Sequence, residues 1–392
     1  MASLSGIKVL DMTNESGAFA SRILADLGAD VILIEPPQGG RIRNLAPFLD
    51  NKKGIERSLY HLHHNANKRS LILDISNDND LKVLKKLASE IDIIIETFAP
   101  GEMAKFGLDY NTLKKINPKL IYVSITPYGQ HGDWKNRTGN DLTAAASSGL
   151  VFVAGQSKDP PTQAAGDQSY KMASLAATSG VLIALIGRQS NQKNTGTYID
   201  ISIQESTSMA ALQTSNANHF TRDGNIPQRP GMTRGVFKCA DGKWTTLNVS
   251  SDRYKIFLNW VKDSGININI DYEMSKINTE GPMLVPKVLN FTKTLASTLN
   301  RTDFLEKAWS LDLMALPVND FHDLKENNHL IETKQFSDVW HEHLNQTLGF
   351  SKSIVDVFEK KIRLNRAPLL GEHTNDILEE FKIKLKKNGN KE

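Results

Sequence analysis

The chain has 392 residues, 40% hydrophobic and 23% charged, an ordinary globular composition at a length that exceeds one compact core and fits two domains. A formal net charge of +3 is too small for a general nucleic-acid binder, whose backbone contacts need a concentrated basic face. The single cysteine, Cys239, rules out an intramolecular disulfide and a Cys-based zinc site, and points to a reducing compartment.

The start, MASLSGIKVLDMT, has no basic leader followed by a long apolar stretch. Apolar runs such as Val181 to Ile186 fall short of a membrane span, so the expected location is cytoplasmic, with no membrane or nucleic-acid partner. The first hundred residues alternate short β-branched runs with helical patterns. Ile7 to Leu10 reads as strand, Ala18 to Leu27 as helix, Val31 to Ile34 as strand, Leu81 to Ser89 as helix and Ile91 to Ile95 as strand. A helix at Tyr110 to Ile116 and a strand at Leu120 to Ile125 continue the pattern of an open α/β sheet with parallel strands and crossover helices.

A long apolar helix rich in small residues spans about Tyr170 to Arg188, followed by a strand from Thr197 to Ile203. From about Asn225 the character changes to a β-rich stretch with a turn at Asp241-Gly242, then amphipathic helices at Tyr254 to Val261 and Pro286 to Leu299. The predicted organisation is a large domain over 1–210, completed by 330–392, and a smaller α+β domain over 225–325. A lysine-rich run at 380–392 reads as a solvated tail.

Three local features invite chemistry. LDMTNESGAFASRILADLGADVILIEPP has the strand, turn, helix, strand order of a dinucleotide site, but Ser16-Gly17-Ala18 stands where G-x-G-x-x-G is needed, which argues against NAD. His61, His63 and His64 lack a nearby Cys or a carboxylate at ligand spacing, so they read as a solvated or partly packed loop rather than a metal site. Ser147-Ser148-Gly149 lacks the G-x-S-x-G elbow of a serine hydrolase.

Nine phrases in order carry a family resemblance. They are LADLGADVILIEPP (24–37), NKRSLILDI (67–75), IETFAPGEMAKFGLDYNTL (95–113), PYGQHG (127–132), RTGNDL (137–142), ALIGR (184–188), TGTYIDISIQES (195–206), ADGKWTTL (240–247) and APLLGEHTNDIL (367–378). Across nearly the whole chain they resemble CoA-transferase family III, the CaiB/BaiF group of carnitine and formyl-CoA transferases.

The resemblance implies a Rossmann-like large domain and subunits that interlock as a homodimer. It also implies transfer of CoA from an acyl-CoA to a carboxylic acid, with no metal or redox cofactor. A CoA site needs scattered cations, backbone donors and an apolar slot. Lys68, Arg69, Lys105 and Arg137 are candidate cations. By resemblance the nucleotide contacts fall on Asn14 and the turn after it, on Leu73 and its neighbours, on Thr97 and Phe98, and on Lys105 and Arg137.

Enzymes of this family use an Asp nucleophile that passes through a mixed anhydride to an aspartyl-CoA thioester. The candidate here is Asp167 in AAGDQSYK, at a helix start where the helix dipole favours negative charge. Counting back from Ala184-Leu185, or forward from Pro160-Pro161, instead puts the nucleophile position on Tyr170. Either a local shift brings Asp167 into place, or Asp167 is a helix cap and the chain binds CoA thioesters without transferring CoA. Asn140 stands where the family's racemases have a His, which disfavours an acyl-CoA racemase or isomerase. No glycine-rich loop is evident after Thr221, where the chain reads RDGNIPQRPGMTRG.

Overall fold

A computed structural model describes residues 3–154, 160–190, 194–211, 235–276, 284–352 and 364–383. The segment after Thr221 and most of the lysine-rich tail lie outside the described residues. The chain divides into two compact units, one comprising Met1–Ala154, Pro161–Pro227 and Gln335–Glu392, the other Gly155–Pro160 and Gln228–Lys334.

The first unit is built on six parallel strands: β1 (Lys8–Met12), β2 (Asp30–Glu35), β3 (Arg69–Ile72), β4 (Ile93–Glu96), β5 (Ile121–Thr126) and β6 (Tyr198–Ser202). Their order is β3-β2-β1-β4-β5-β6. Strands such as IIIE and IYVSIT are buried at every position, as expected where helices cover both faces of a parallel sheet. Successive residues feed opposite cores. Val9, Val31, Ile93 and Val123 face one side, and Leu10, Ile32, Ile94 and Tyr122 the other.

The helices in chain order are α1 (Ala18–Asp26), α2 (Leu59–His64), α3 (Asp78–Ala88), α4 (Glu102–Lys105), α5 (Tyr110–Ile116), α6 (Asp141–Ser147), α7 (Leu150–Val153), α8 (Gln168–Ser190) and α9 (Ile203–Ala211). The Asn77 side chain caps α3 by accepting from the Asn79 and Asp80 amides. That helix buries Val83, Leu84, Leu87 and Ala88, each large side chain stabilising by about 1.5–3 kcal/mol.

Two expectations are corrected. The His61, His63 and His64 segment is not a loop but helix α2, capped by Ser58, with His61 fully buried between Asn65 and the Pro368 carbonyl. Burial pulls His63 down to about 4 and His64 to about 3, so these rings are neutral packing groups at neutral pH. Secondly, α8 does reach membrane-spanning length and hydropathy, 23 residues with mean hydropathy 1.4 over its best window. Its buried stripe of Ala173, Ala177, Val181 and Leu185 nevertheless packs into the core beneath the sheet.

Chain from Gln335 onward rejoins this unit as a hairpin of β10 (Phe336–His341) and β11 (Gln346–Ser351) and, after an undescribed stretch, as the APLLGEHTNDIL segment. Fully buried Arg43 fixes that segment: its guanidinium holds both Glu35 oxygens at 2.7 Å, Glu56 at 2.6 Å and the Pro368 carbonyl at 3.1 Å. Gly371 lies against Ile72, where a Cβ would sit 2.4 Å from Cδ1. Ile377, Leu378 and Phe381, on and just after a terminal helix (Thr374–Glu380), complete the core on that face.

The second unit holds an antiparallel sheet in the order β7 (Gly235–Lys238), β8 (Trp244–Asn248), β9 (Met314–Val318). Gly242, at φ 81°, makes the turn between β7 and β8. Helices at Tyr254–Asp263, Leu284–Thr298 and Arg301–Ser310 pack Phe257, Trp260, Leu295 and Phe304 against the sheet.

Candidate active site

The strand order reverses direction between β1 and β4, and in open α/β sheets that crevice, at the carboxyl ends of the strands, is where ligands bind. A cavity of about 310 Å³ lies there. Asn14, Glu15 and Ser16 from the turn after β1 form one wall, and Thr97 to Pro100 from the loop after β4 form the other. The walls are stitched by the Asn14 amide donating to Thr97 Oγ1 at 2.9 Å.

Gly17 permits this approach, because a Cβ there would sit 2.7 Å from Thr97 Cγ2 and 3.1 Å from Thr13 Cγ2. Its role is close packing against one neighbouring loop, which a single glycine can fill without a full fingerprint. Gly17→Ala should therefore destabilise the fold by about 1–3 kcal/mol, read as a lower urea midpoint with unchanged slope.

Lys135 to Asn140, with Arg41 and Tyr170, close the cavity. Arg137 stacks on Trp134 at 4.9 Å and is exposed, a cation free of carboxylate partners among the described residues. Arg41 reaches Glu15 Oε1 through Nε at 2.9 Å, while Glu15 Oε2 is buried without a hydrogen-bond partner among the described residues.

A second cavity of about 280 Å³ shares Glu15, Asn140 and Tyr170 with the first, and Asp167 and Tyr60 lie on its far wall. The two are neighbouring compartments at the start of α8. That helix is capped by Asp141, whose Oδ1 accepts from the Ser169 and Tyr170 amides at 2.8 and 3.3 Å while Oδ2 takes the Gln163 side chain at 2.9 Å. Asp167 is at φ 52° and its carboxylate accepts a hydrogen bond from the Tyr60 hydroxyl. That bond pushes Tyr60 up to about 12, so Tyr60 stays a donor at neutral pH. Burial, with Glu15 adding to it, likewise pushes Tyr170 up to about 12, so its phenol is neutral.

The sequence profile of CoA-transferase family III matches residues 4–374. The chain belongs to CoA-transferase family III. A subunit of succinyl-CoA:(R)-benzylsuccinate CoA-transferase from Thauera aromatica is 31% identical, over 96% of this chain and 93% of its own. The beta subunit of succinyl-CoA–L-malate CoA-transferase from Chloroflexus aurantiacus is 29% identical over 96% and 94%. A CaiB/BaiF family protein from Brucella suis shares the fold with a TM-score of 0.82, at 24% identity, covering 97% of this chain and 99% of that one. As a family III enzyme this chain transfers CoA between an acyl-CoA and a carboxylic acid.

Of the residues nominated for CoA, the first cavity gathers Asn14, Thr97, Phe98 and Arg137. Leu73 does not line it. It lies 3% exposed in the core, with its amide on the Glu35 carbonyl at 2.9 Å. Lys105 is exposed at the end of α4 and lines neither cavity. Lys68 is fully engaged by Asp11 at 2.7 Å, Asn65 at 2.8 Å and the Ala18 carbonyl at 3.1 Å, and Arg69 pairs with Asp30 and Glu380.

Sequence reasoning missed Arg41 and Lys135, whereas Glu15 lies in the turn after Asn14 to which the resemblance pointed. Arg41 follows the carboxyl end of β2, the positional signal that would have found it. Asn140, in the racemase His position, caps α6 through the Thr143 amide and lines both cavities. Among the described residues no three His, Cys, Asp or Glu side chains are grouped to hold a metal.

Proposed function

We propose that the nucleotide of an acyl-CoA lies in the cavity between β1 and β4, with Arg137 and Arg41 meeting its phosphates, and that Asp167 is the nucleophile. The carrying observation is that Asp167 is not spent as a helix cap. Asp141 does that work, leaving the Asp167 carboxylate on the wall of a cavity contiguous with the nucleotide site.

In the proposed sequence, an Asp167 oxygen attacks the thioester carbonyl and the C–S bond breaks, giving an acyl-aspartyl anhydride and CoA thiolate. The thiolate attacks Asp167 Cγ and releases the donor acid. The acceptor carboxylate then attacks the aspartyl-CoA thioester, expelling CoA thiolate and forming a second mixed anhydride. The thiolate attacks the acceptor's acyl carbon to give the new acyl-CoA and release the Asp167 carboxylate. No metal or redox cofactor enters these steps. Tyr60, held as a donor, offers a proton to the oxyanion that forms on the aspartyl carbonyl.

The relatives' names make succinyl-CoA the first donor to test and small organic acids the acceptors. A cytoplasmic homodimer completes the reading. The exposed Leu175, Ile183 and Ile186 on α8 are apolar surface that a second copy would cover.

A second reading has one observation behind it: Tyr170, at the position reached by counting, lines the nucleotide cavity, and Asp167 does not. In that reading the chain binds CoA thioesters and has no nucleophile of its own. Transfer assays with succinyl-CoA and an acid panel test the first reading. Tyr60→Phe should lower kcat about ten- to a hundredfold, the loss of one charge-assisted hydrogen bond, with KM little changed. Absence of transfer with retained CoA binding favours the second.

A further inference from the structure

Glu96 ends β4 with its carboxylate turned back under the loop that follows. It is 3% exposed, and one oxygen takes the Phe98 amide at 2.6 Å while the other takes the Ser124 hydroxyl. Ser124 is its register partner on β5. The rest of the loop is pinned independently, by the Asn14 amide on Thr97 and by the Ala99 amide on Glu102 at 3.2 Å. Phe98 is thus the point at which the shape of the cavity wall depends on one buried carboxylate.

We infer that Glu96 is a positioning residue for acyl-CoA binding, holding the Thr97 to Pro100 wall through the Phe98 amide without itself touching the ligand. This rests on the assignment of that cavity to the nucleotide. The groups facing Glu96 are Ser124 and Tyr122 from β5, Tyr198 and Asp200 from β6, and Glu102 from α4, with uncharged Met12 beside it on β1. None is a cation. Burial, opposed by the two hydrogen bonds and aided by Glu102 and Asp200, pushes Glu96 up to about 7.

The hold is therefore adjustable near neutrality. Above about 7 the carboxylate is ionised and grips the amide by a charge-assisted bond, and below it the grip weakens to that of a neutral acceptor. The stability sign is opposite. A carboxyl whose folded value is raised contributes stability present below its unfolded range and lost as pH rises through about 7, so the tight grip costs the fold.

Glu96→Gln keeps the shape and an acceptor for Phe98 but cannot ionise. Wild type should show KM for acyl-CoA rising about fivefold from pH 8 to pH 6 relative to the variant, with kcat moving in parallel in both proteins. The variant should not share the wild-type loss of thermal stability as pH rises from 4.5 to about 7. In ligand-free protein, Glu96→Ala should speed hydrogen exchange in the 97–101 segment about tenfold, against little change in Glu96→Gln.

Identical KM profiles in wild type and Glu96→Gln, or an effect on kcat alone, would overturn the inference. So would unchanged exchange in Glu96→Ala. Wild type that binds no acyl-CoA would overturn the nucleotide assignment and with it Glu96's role in binding, whereas the exchange result bears on the loop anchor alone and separates the two failures.

Discussion

Asp167→Asn should lower turnover about a thousandfold or more while leaving the dissociation constant for a CoA thioester within about twofold of wild type. The carboxamide is nearly isosteric and its oxygen can still accept from Tyr60, so the wall of the second cavity keeps its form. What it lacks is a nucleophilic oxygen able to form an anhydride. Asp141 supplies the necessary contrast. Its Oδ1 caps α8 and its Oδ2 holds the Gln163 side chain, so Asp141→Asn should act on stability and on the placement of the helix start. Steady-state kinetics beside calorimetric binding separate the two, since a nucleophile loses kcat and a scaffold residue loses both together.

The second large effect is on folding. Lys68→Met should destabilise the protein by about 3–5 kcal/mol, because it leaves Asp11 charged and fully buried opposite an apolar side chain. Asp11 retains the Thr13 and Ser21 hydroxyls at 2.6 Å, but hydrogen bonds from neutral groups do not replace the missing charge. Burial pulls Lys68 itself downward while Asp11 pushes it back up, the balance of a pair stable only as a pair. Adding Asp11→Asn to Lys68→Met should recover part of the loss, and urea unfolding of the two single variants and the double variant measures that coupling. Had Lys68 been a phosphate ligand, the same substitution would have raised KM and spared stability.

That contrast shows what the sequence could and could not convey. The parallel strands are legible because burial on both faces turns them into apolar runs such as VILIE and IIIE, and α8 is legible from its length and small residues. Helix α2 was missed because three histidines look polar, although Ser58 ahead of Leu59 is an ordinary N-terminal signal and the rings are neutralised by burial. Lys68 and Arg137 are equivalent as letters. Only the fold reveals that one is locked to a buried Asp and the other lies exposed beside a cavity.

The register at the start of α8 was beyond counting for a related reason. The residue that caps the helix, Asp141, comes from 28 positions before Ser169, so no local pattern shows that Asp167 is released from capping. Nor can spacing tell which of two adjoining cavities a side chain lines, and there Asp167 and Tyr170 differ.

The most direct test is to incubate the protein with succinyl-CoA, trap with hydroxylamine or borohydride, and map residues 160–175 by peptide mass spectrometry. A modification at Asp167, absent from Asp167→Asn, is the predicted result and establishes the aspartyl intermediate. Bound CoA thioester with Asp167 unmodified across a panel of acyl-CoAs would contradict it and leave a family member that holds the thioester without carrying the nucleophile.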